Sequence, residues 1–187
     1  MKFRDLTEED IEVRVQSVKQ NGLILLLYKN ARVDMSILDE TVGAENWQRE
    51  HYECKGNLFC RVGIYCRISP DGDAPNEWVW KSDCGTESNT EAQKGEASDS
   101  FKRACFNWGI GRELYTSPFV WVNADRCNIK YTGKKDKYGN PVYTCADRFA
   151  VEQITIENKK IVGLSIVNNS IKSDNRKYKR CFVWSAK

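Results

Sequence analysis

Residues 95–115 read GEASDSFKRACFNWGIGRELY. This stretch has the period of one amphipathic helix followed by a glycine-punctuated stop. With Phe101 as reference and about 100° per residue, Ala97, Ala104, Cys105 and Trp108 fall within about 60° of it. That apolar stripe is expected to lie on a sheet. Lys102, Arg103 and Phe106 group on the far side, with Asp99 one turn before Arg103 as an i,i+4 partner. Gly109 and Gly111 are good helix terminators. Two adjacent cations and a ring are thus predicted on a rigid element, facing away from its own core. A plain reading is a solvated face with one ion pair. The ring argues for a second partner, either a base or another subunit.

The segments on either side predict mostly strands. Residues 46–55 and 58–68 alternate, with Lys55-Gly56-Asn57 between them, and residues 77–82 return with Trp78, Val79 and Trp80. Pro70-Asp71-Gly72-Asp73 reads as a loop; a turn is favoured over a carboxylate metal site for Asp71 and Asp73. A polar segment, 85–93, leads into the helix. Three antiparallel strands covered by one helix make an α+β unit.

At the N-terminus, Thr7-Glu8-Glu9-Asp10 is a capping-box signal for a helix through about Lys19. Against it, Ile11, Val13 and Val15 alternate as in a strand. Asn21-Gly22 signals a turn and residues 23–28 a buried strand. Residues 33–42 predict a short helix with Val33, Ile37 and Leu38 inward, ended by Gly43. Beyond the helix, residues 119–122 are strand-like. Residues 130–141 read as a polar loop carrying Lys130, Lys134, Lys135 and Lys137, turning at Gly139-Asn140-Pro141. Residues 150–156 and 161–167 form a β-hairpin. Residues 176–184 interleave cations and aromatics, which suits either nucleic-acid contact or a lysine-protected edge strand.

The helix stretch resembles the segment that marks the Rad-fifty-two superfamily of single-strand annealing proteins, especially its phage recombinases. The resemblance rests on Ala97, Asp99, Phe101, Lys102-Arg103-Ala104, Trp108 and Gly109. A second stretch, Leu27-Tyr28 through Arg32-Val33 and then Leu38 and residues 43–47, is similar to the family's strand–helix entry, in which an Arg opens the helix. Together they span roughly residues 7–122, and the resemblance favours a helix before Lys19. It implies an antiparallel β-meander packed on a long central helix as annealing core (1–122). Outside the resemblance, residues 123–187 read by charge and strand pattern as a basic β-rich extension with a β-hairpin. The resemblance also implies ATP-independent binding and annealing of single-stranded DNA in recombination and repair, by an oligomeric ring. A single-strand-binding protein is a further candidate partner. Lys102, Arg103 and Arg32 are then the phosphate contacts, with Phe106, Lys94 and Arg112 as further DNA-contact candidates. Phe106 departs from the eukaryotic members, which look more basic there.

Composition narrows the alternatives. The 187 residues carry a net charge of +3, unevenly spread. Residues 1–50 and 51–125 are each net −3, and residues 126–187 hold 14 basic and 5 acidic groups. A basic last third fits an anionic partner or an acidic neighbouring subunit. Eight cysteines and one histidine are present. No C-x-x-C pair occurs, so the thiols read as reduced and mostly buried, without a metal. No secretory signal or membrane-length apolar run is seen, which reads as an intracellular protein; the resemblance to phage recombinases implies the cytoplasm of a bacterial or phage-infected cell. There is no phosphate-binding G-x-x-x-x-G-K-[ST] loop, and Gly109-Ile110-Gly111 lacks the third glycine of a dinucleotide site, so no cofactor is expected. His51, between Glu50 and Tyr52, reads as strand surface, and no catalytic residue is assigned. The alternatives are a single-strand-binding or end-protecting protein without annealing activity, and a metal-dependent nuclease.

Overall fold

The capping signal at Thr7 is real but short. The Asp10 carboxylate accepts hydrogen bonds from the Thr7 backbone N–H at 2.8 Å and its hydroxyl at 3.0 Å. It closes a single 3-10 turn, Glu8–Asp10. The chain then runs extended as β1 (Glu12–Lys19) instead of continuing as the helix that the resemblance favours. The alternation wins because Val13 and Val15 are half-covered while Glu12, Arg14 and Gln16 stay exposed, the pattern of a strand with one covered face. β1 pairs antiparallel with β2 (Gly22–Tyr28).

A computed structural model describes residues 1–67, 75–86, 92–172 and 179–186; the side chains of residues 67 and 92–94 fall outside that description. The Asp71–Asp73 loop reading and residues 176–178 of the cation-aromatic segment also lie outside the described residues, as does part of the polar segment 85–93. Two compact units result, and neither is continuous in sequence. One comprises Met1–Asp5 and Asn30–Arg112; the other comprises Leu6–Lys29 and Glu113–Lys187. The architecture is α+β, with antiparallel strand pairing and two α-helices among the described residues.

In the first unit, α1 (Ala31–Val42) is capped by Asn30, whose side chain accepts the Arg32 N–H at 2.8 Å. It ends at Gly43, whose φ of 86° suits glycine. Ile37 and Leu38 are fully buried. Next comes the three-stranded sheet β3 (Trp47–Cys54), β4 (Asn57–Arg67) and β5 (Asn76–Cys84), in that order. α2 (Ala92–Trp108) packs on β4 and β5. Phe101, Ala104 and Cys105 from α2 meet a sheet face of Cys60, Val62 and Ile64, all fully buried. The helical stripe and the strand alternation thus bury their expected faces against each other.

In the second unit, β6 (Val120–Asn123) pairs with β2. β7 (Ile129–Lys135) and β8 (Pro141–Cys145) form a hairpin of their own. This corrects the loop reading of residues 130–141. The turn is built on Asp136, whose backbone pairs with Asn140 and Gly139, so the chain reverses earlier than Gly139-Asn140-Pro141 suggests. β9 (Phe149–Glu157) and β10 (Lys160–Asn168) form the expected hairpin. Its two-residue turn, Asn158-Lys159, has φ of 51° and 60°, the sign that a type I′ turn requires. β11 (Arg180–Ser185) pairs with β10. The six strands lie in the order β11-β10-β9-β1-β2-β6, and the sheet curls until β11 approaches β6. Leu23, Leu25, Val122, Leu164 and Ile166 are among its buried side chains.

None of the eight cysteines is paired. Burial pushes the Cys60 thiol up to about 11 and those of Cys127 and Cys181 to about 12. Such groups are protonated at neutral pH, and the thiolate is the nucleophile. Cys54, on the exposed end of β3, is outside this group.

Two predictions follow from this packing. Phe101→Ala opens a void between α2 and its sheet and should cost about 3–5 kcal/mol in urea unfolding. Maleimide labelling near neutral pH should modify Cys54 first, with Cys60, Cys127 and Cys181 reacting only after denaturation, as read by mass spectrometry of digests.

Candidate nucleic-acid interface

α2 is fixed along its whole described length. The Glu96 carboxylate accepts the Leu58 N–H at 3.0 Å. His51 Nε2 lies 3.1 Å from the Ala97 carbonyl. Trp108 donates its indole N–H to the Val62 carbonyl at 3.0 Å, and the Asn107 amide donates to the Ser82 carbonyl at 3.0 Å. Lys81 Nζ donates to the Asn107 carbonyl at 2.9 Å and sits 4.5 Å from the Trp108 ring centroid. The strand end approaches so closely that a Cβ on Gly85 would lie 2.2 Å from the Glu96 carbonyl oxygen. Only glycine permits that separation without moving backbone. The single histidine therefore has a structural task, holding β3 to α2.

Phe101 also connects the two helices. Its ring stacks on Trp47 at a centroid distance of 6.1 Å, and the Arg49 guanidinium lies 4.8 Å from its centroid. Trp47 in turn donates its indole N–H to Asp39 of α1 at 2.6 Å. A relay from Asp39 through Trp47 to Phe101 thus ties α1 to α2. Arg4 adds a bond to Glu40 of α1 at 2.7 Å.

With the apolar stripe buried, Lys102, Arg103 and Phe106 occupy the other side of α2 and are each partly exposed. Asp99, the i,i+4 partner that the sequence suggests for Arg103, pairs with Lys102 at 3.9 Å and accepts from the Thr86 N–H and hydroxyl at 3.1 and 3.2 Å. Arg103 instead reaches Asp83 of β5, Nε to Oδ1 at 3.4 Å. An i,i+4 rule sees only the helix, whereas the sheet brings a second carboxylate alongside. Both contacts are long and partly solvated, so each holds its cation by only about 0–1 kcal/mol. A phosphate can displace them at small cost.

The remaining expected contacts are distributed as follows. Arg32 is exposed in the first turn of α1, whose N–H groups carry partial positive charge. Lys94 lies in the first turn of α2, and its side chain is outside the described residues. Arg112 is exposed and closes the far end of α2. Its Nε donates to the Phe106 carbonyl at 2.6 Å and its Nη2 to the Asn107 carbonyl at 2.9 Å. This is a cation on the negative end of a helix, an arrangement that the basic character of Arg112 alone does not reveal. Gly109 completes the stop with φ of 97° and an N–H bonded to the Phe106 carbonyl at 2.9 Å. Lys102, Arg103, Phe106 and Arg112 are thus brought together on α2 and its C-terminal stop. Arg32 comes from a separate helix of the same unit.

Asp83, which holds Arg103, was not legible as a site residue. Its signal is the strand register: β5 runs beside β4 with Asp83 opposite Cys60, against the helix. Among the described residues, no group of three His, Cys, Asp or Glu side chains is arranged to hold a metal ion. No helix among them is long and apolar enough to cross a membrane.

Comparison with curated proteins and with solved structures gives no match. A protein-family model does match, over residues 3–131, and its description is Rad52/22 family double-strand break repair protein. The matched segment contains α1, the three-stranded sheet, α2 and all six candidate contacts. The match covers more than half of the chain, and the protein belongs to the Rad52/22 family of double-strand break repair proteins.

Proposed function

We propose that this chain binds single-stranded DNA along the exposed face of α2 and anneals complementary strands without ATP. The observation that carries the reading is the adjacent pair Lys102 and Arg103. A helix buried through Phe101, Ala104 and Cys105 presents this pair outward, with Lys102 beside Asp99 and Arg103 beside Asp83 in long, partly solvated ion pairs. Arg32, at the positive end of α1, supplies a third phosphate contact. Binding of this kind reads the backbone, so it is independent of sequence and sensitive to salt.

Annealing needs one strand held by its phosphates with its bases turned outward. A complementary strand then samples pairing, and stacking supplies roughly 1–2 kcal/mol per step. No covalent chemistry is needed. Phe106, half-covered beside the cations, supports either stacking on a base or packing against a neighbouring subunit. A long track needs many protomers side by side, which a heterologous interface closing into a ring provides. Residues 1–122 would serve as the annealing core and residues 123–187 as a basic extension. The setting would be the cytoplasm of a bacterial or phage-infected cell, with a single-strand-binding protein as a partner that hands over the DNA.

The test is annealing of two labelled complementary oligonucleotides without nucleotide or magnesium. The natural chain should accelerate pairing, and Lys102→Ala/Arg103→Ala should lose both acceleration and affinity. Its log–log salt slope should be lower by about 1.4, the value for two phosphates on a single strand. Binding without acceleration would leave a single-strand-binding or end-protecting protein. Magnesium-dependent degradation would point to a nuclease. Asp83→Asn keeps the bond from the Cys84 N–H but removes the carboxylate charge beside Arg103. It should tighten binding by up to about five-fold in a fluorescence-anisotropy titration, the limit set by a surface ion pair of about 0.2–1 kcal/mol.

A further inference from the structure

The β7–β8 hairpin has no place in that account, and its composition is unusual. Every residue from 130 to 142 is exposed, so this part of the arm buries no side chain of its own. Two-stranded hairpins without a covered face are marginal by themselves. This one packs its β8 strand alongside β1 and is held further by local devices. The Tyr131 and Tyr143 rings face each other across the strands at 5.7 Å. The Thr132 hydroxyl donates to the Val142 carbonyl at 2.8 Å. At the turn, the Asp136 carboxylate accepts from the Asn140 N–H at 2.9 Å, the Tyr138 N–H at 2.8 Å and the Asn140 amide at 3.2 Å. Those bonds, led by the Asn140 backbone, hold its carboxyl below the usual range, with Lys19 adding to the effect.

Asp136 is the one acidic residue between positions 129 and 145, and its oxygens are committed to the turn. The same stretch carries Lys130, Lys134, Lys135 and Lys137. Among the described residues none of the four has a carboxylate within ion-pair distance. Lys137 Nζ sits 5.0 Å from the Tyr138 ring centroid. Tyr131 and Tyr138 are 53% and 77% exposed, large rings that a solvated loop has no need of. Unpaired cations with interleaved open rings fit a polyanion whose bases stack. A neighbouring protein would more often meet an apolar patch depleted in lysine. The family match ends at residue 131, so Lys134, Lys135, Lys137 and Tyr138 lie beyond it.

We propose that the β7–β8 hairpin is a second nucleic-acid contact: a preformed arm that grips phosphates of single-stranded DNA with Lys130, Lys134, Lys135 and Lys137 and stacks bases on Tyr131 and Tyr138. The inference rests on the reading of the chain as a DNA-binding protein, but on residues remote in sequence from Lys102 and Arg103.

The experiment uses the full chain and labelled oligothymidine in anisotropy titrations across a salt series. Replacing all four lysines by alanine should weaken binding at least about ten-fold at moderate salt and lower the log–log salt slope by about 2.8, four single-strand phosphates. The corresponding four-arginine variant should keep the natural affinity. Tyr131→Ala/Tyr138→Ala should weaken binding about ten-fold with the slope unchanged, because stacking releases no counterions. Thermal melts should be unaltered in the two lysine variants, whose replaced side chains are exposed, and Tyr138→Ala alone, which leaves the Tyr131–Tyr143 pair intact, should already weaken binding with the slope unchanged. Equal affinity and slope for the natural chain and the four-alanine variant would overturn the proposal while leaving the α2 reading intact. Loss of self-association in light scattering with DNA affinity unchanged would also overturn it, in favour of contact with a second copy. If the natural chain itself fails to bind at low salt, both readings fall.

Discussion

The stack of Phe101 on Trp47 is the contact on which the proposed DNA-binding surface depends. It sits where three elements meet. Phe101 comes from α2, Trp47 opens β3, and the Trp47 indole reaches Asp39 of α1. Burying one aromatic ring removes roughly 150–250 Å² of apolar surface from water. Here that burial also sets the rotation of α2 about its own axis. Once Phe101 points into the sheet, Lys102 and Arg103 must point out, because successive helical residues are separated by about 100°. The same stack fixes α1, and so the helix that carries Arg32. Orientation of the cations is thus a by-product of core packing and needs no dedicated scaffold.

Holding cations outward is useful only if they can be given up to a ligand. Asp83 and Asp99 keep Arg103 and Lys102 ordered at separations of 3.4 and 3.9 Å. Buried, hydrogen-bonded pairs would be costly to break. These exposed, long pairs are not, and their exchange for phosphate is close to balanced before counterion release is added. Arg112 behaves differently. Its two bonds to the last carbonyls of α2 match the helix dipole, so its charge already has work in closing the helix.

Much of this was legible in the residues themselves. The stripe at Phe101, Ala104 and Cys105, the strands β3 to β5, and the hairpin of β9 and β10 are short-range patterns, and each forms as expected. The failures have several causes. The capping box at Thr7 is a genuine local signal, but pairing of β1 with β2, which is only two residues further on, overrode it after one turn. Lysines hid the β7–β8 hairpin, because solvent-exposed strands lose the apolar alternation by which strands are recognised. The partner of Arg103 was invisible for a different reason: Asp83 is twenty positions away and reaches α2 only once the sheet has formed. The interleaving of the two units arises in the same way, since β1 and β2 join strands from the far end of the chain.

DNA bound along α2 should take Lys102 out of solvent. Acylation footprinting of the full chain, with and without single-stranded oligonucleotide and read by mass spectrometry, measures this directly. Lys102 should be strongly protected by the oligonucleotide, while Lys55, on the turn between β3 and β4, should be labelled equally in both states. Labelling of Lys102 that is unchanged under conditions where the oligonucleotide is bound would contradict the claim that α2 carries the DNA.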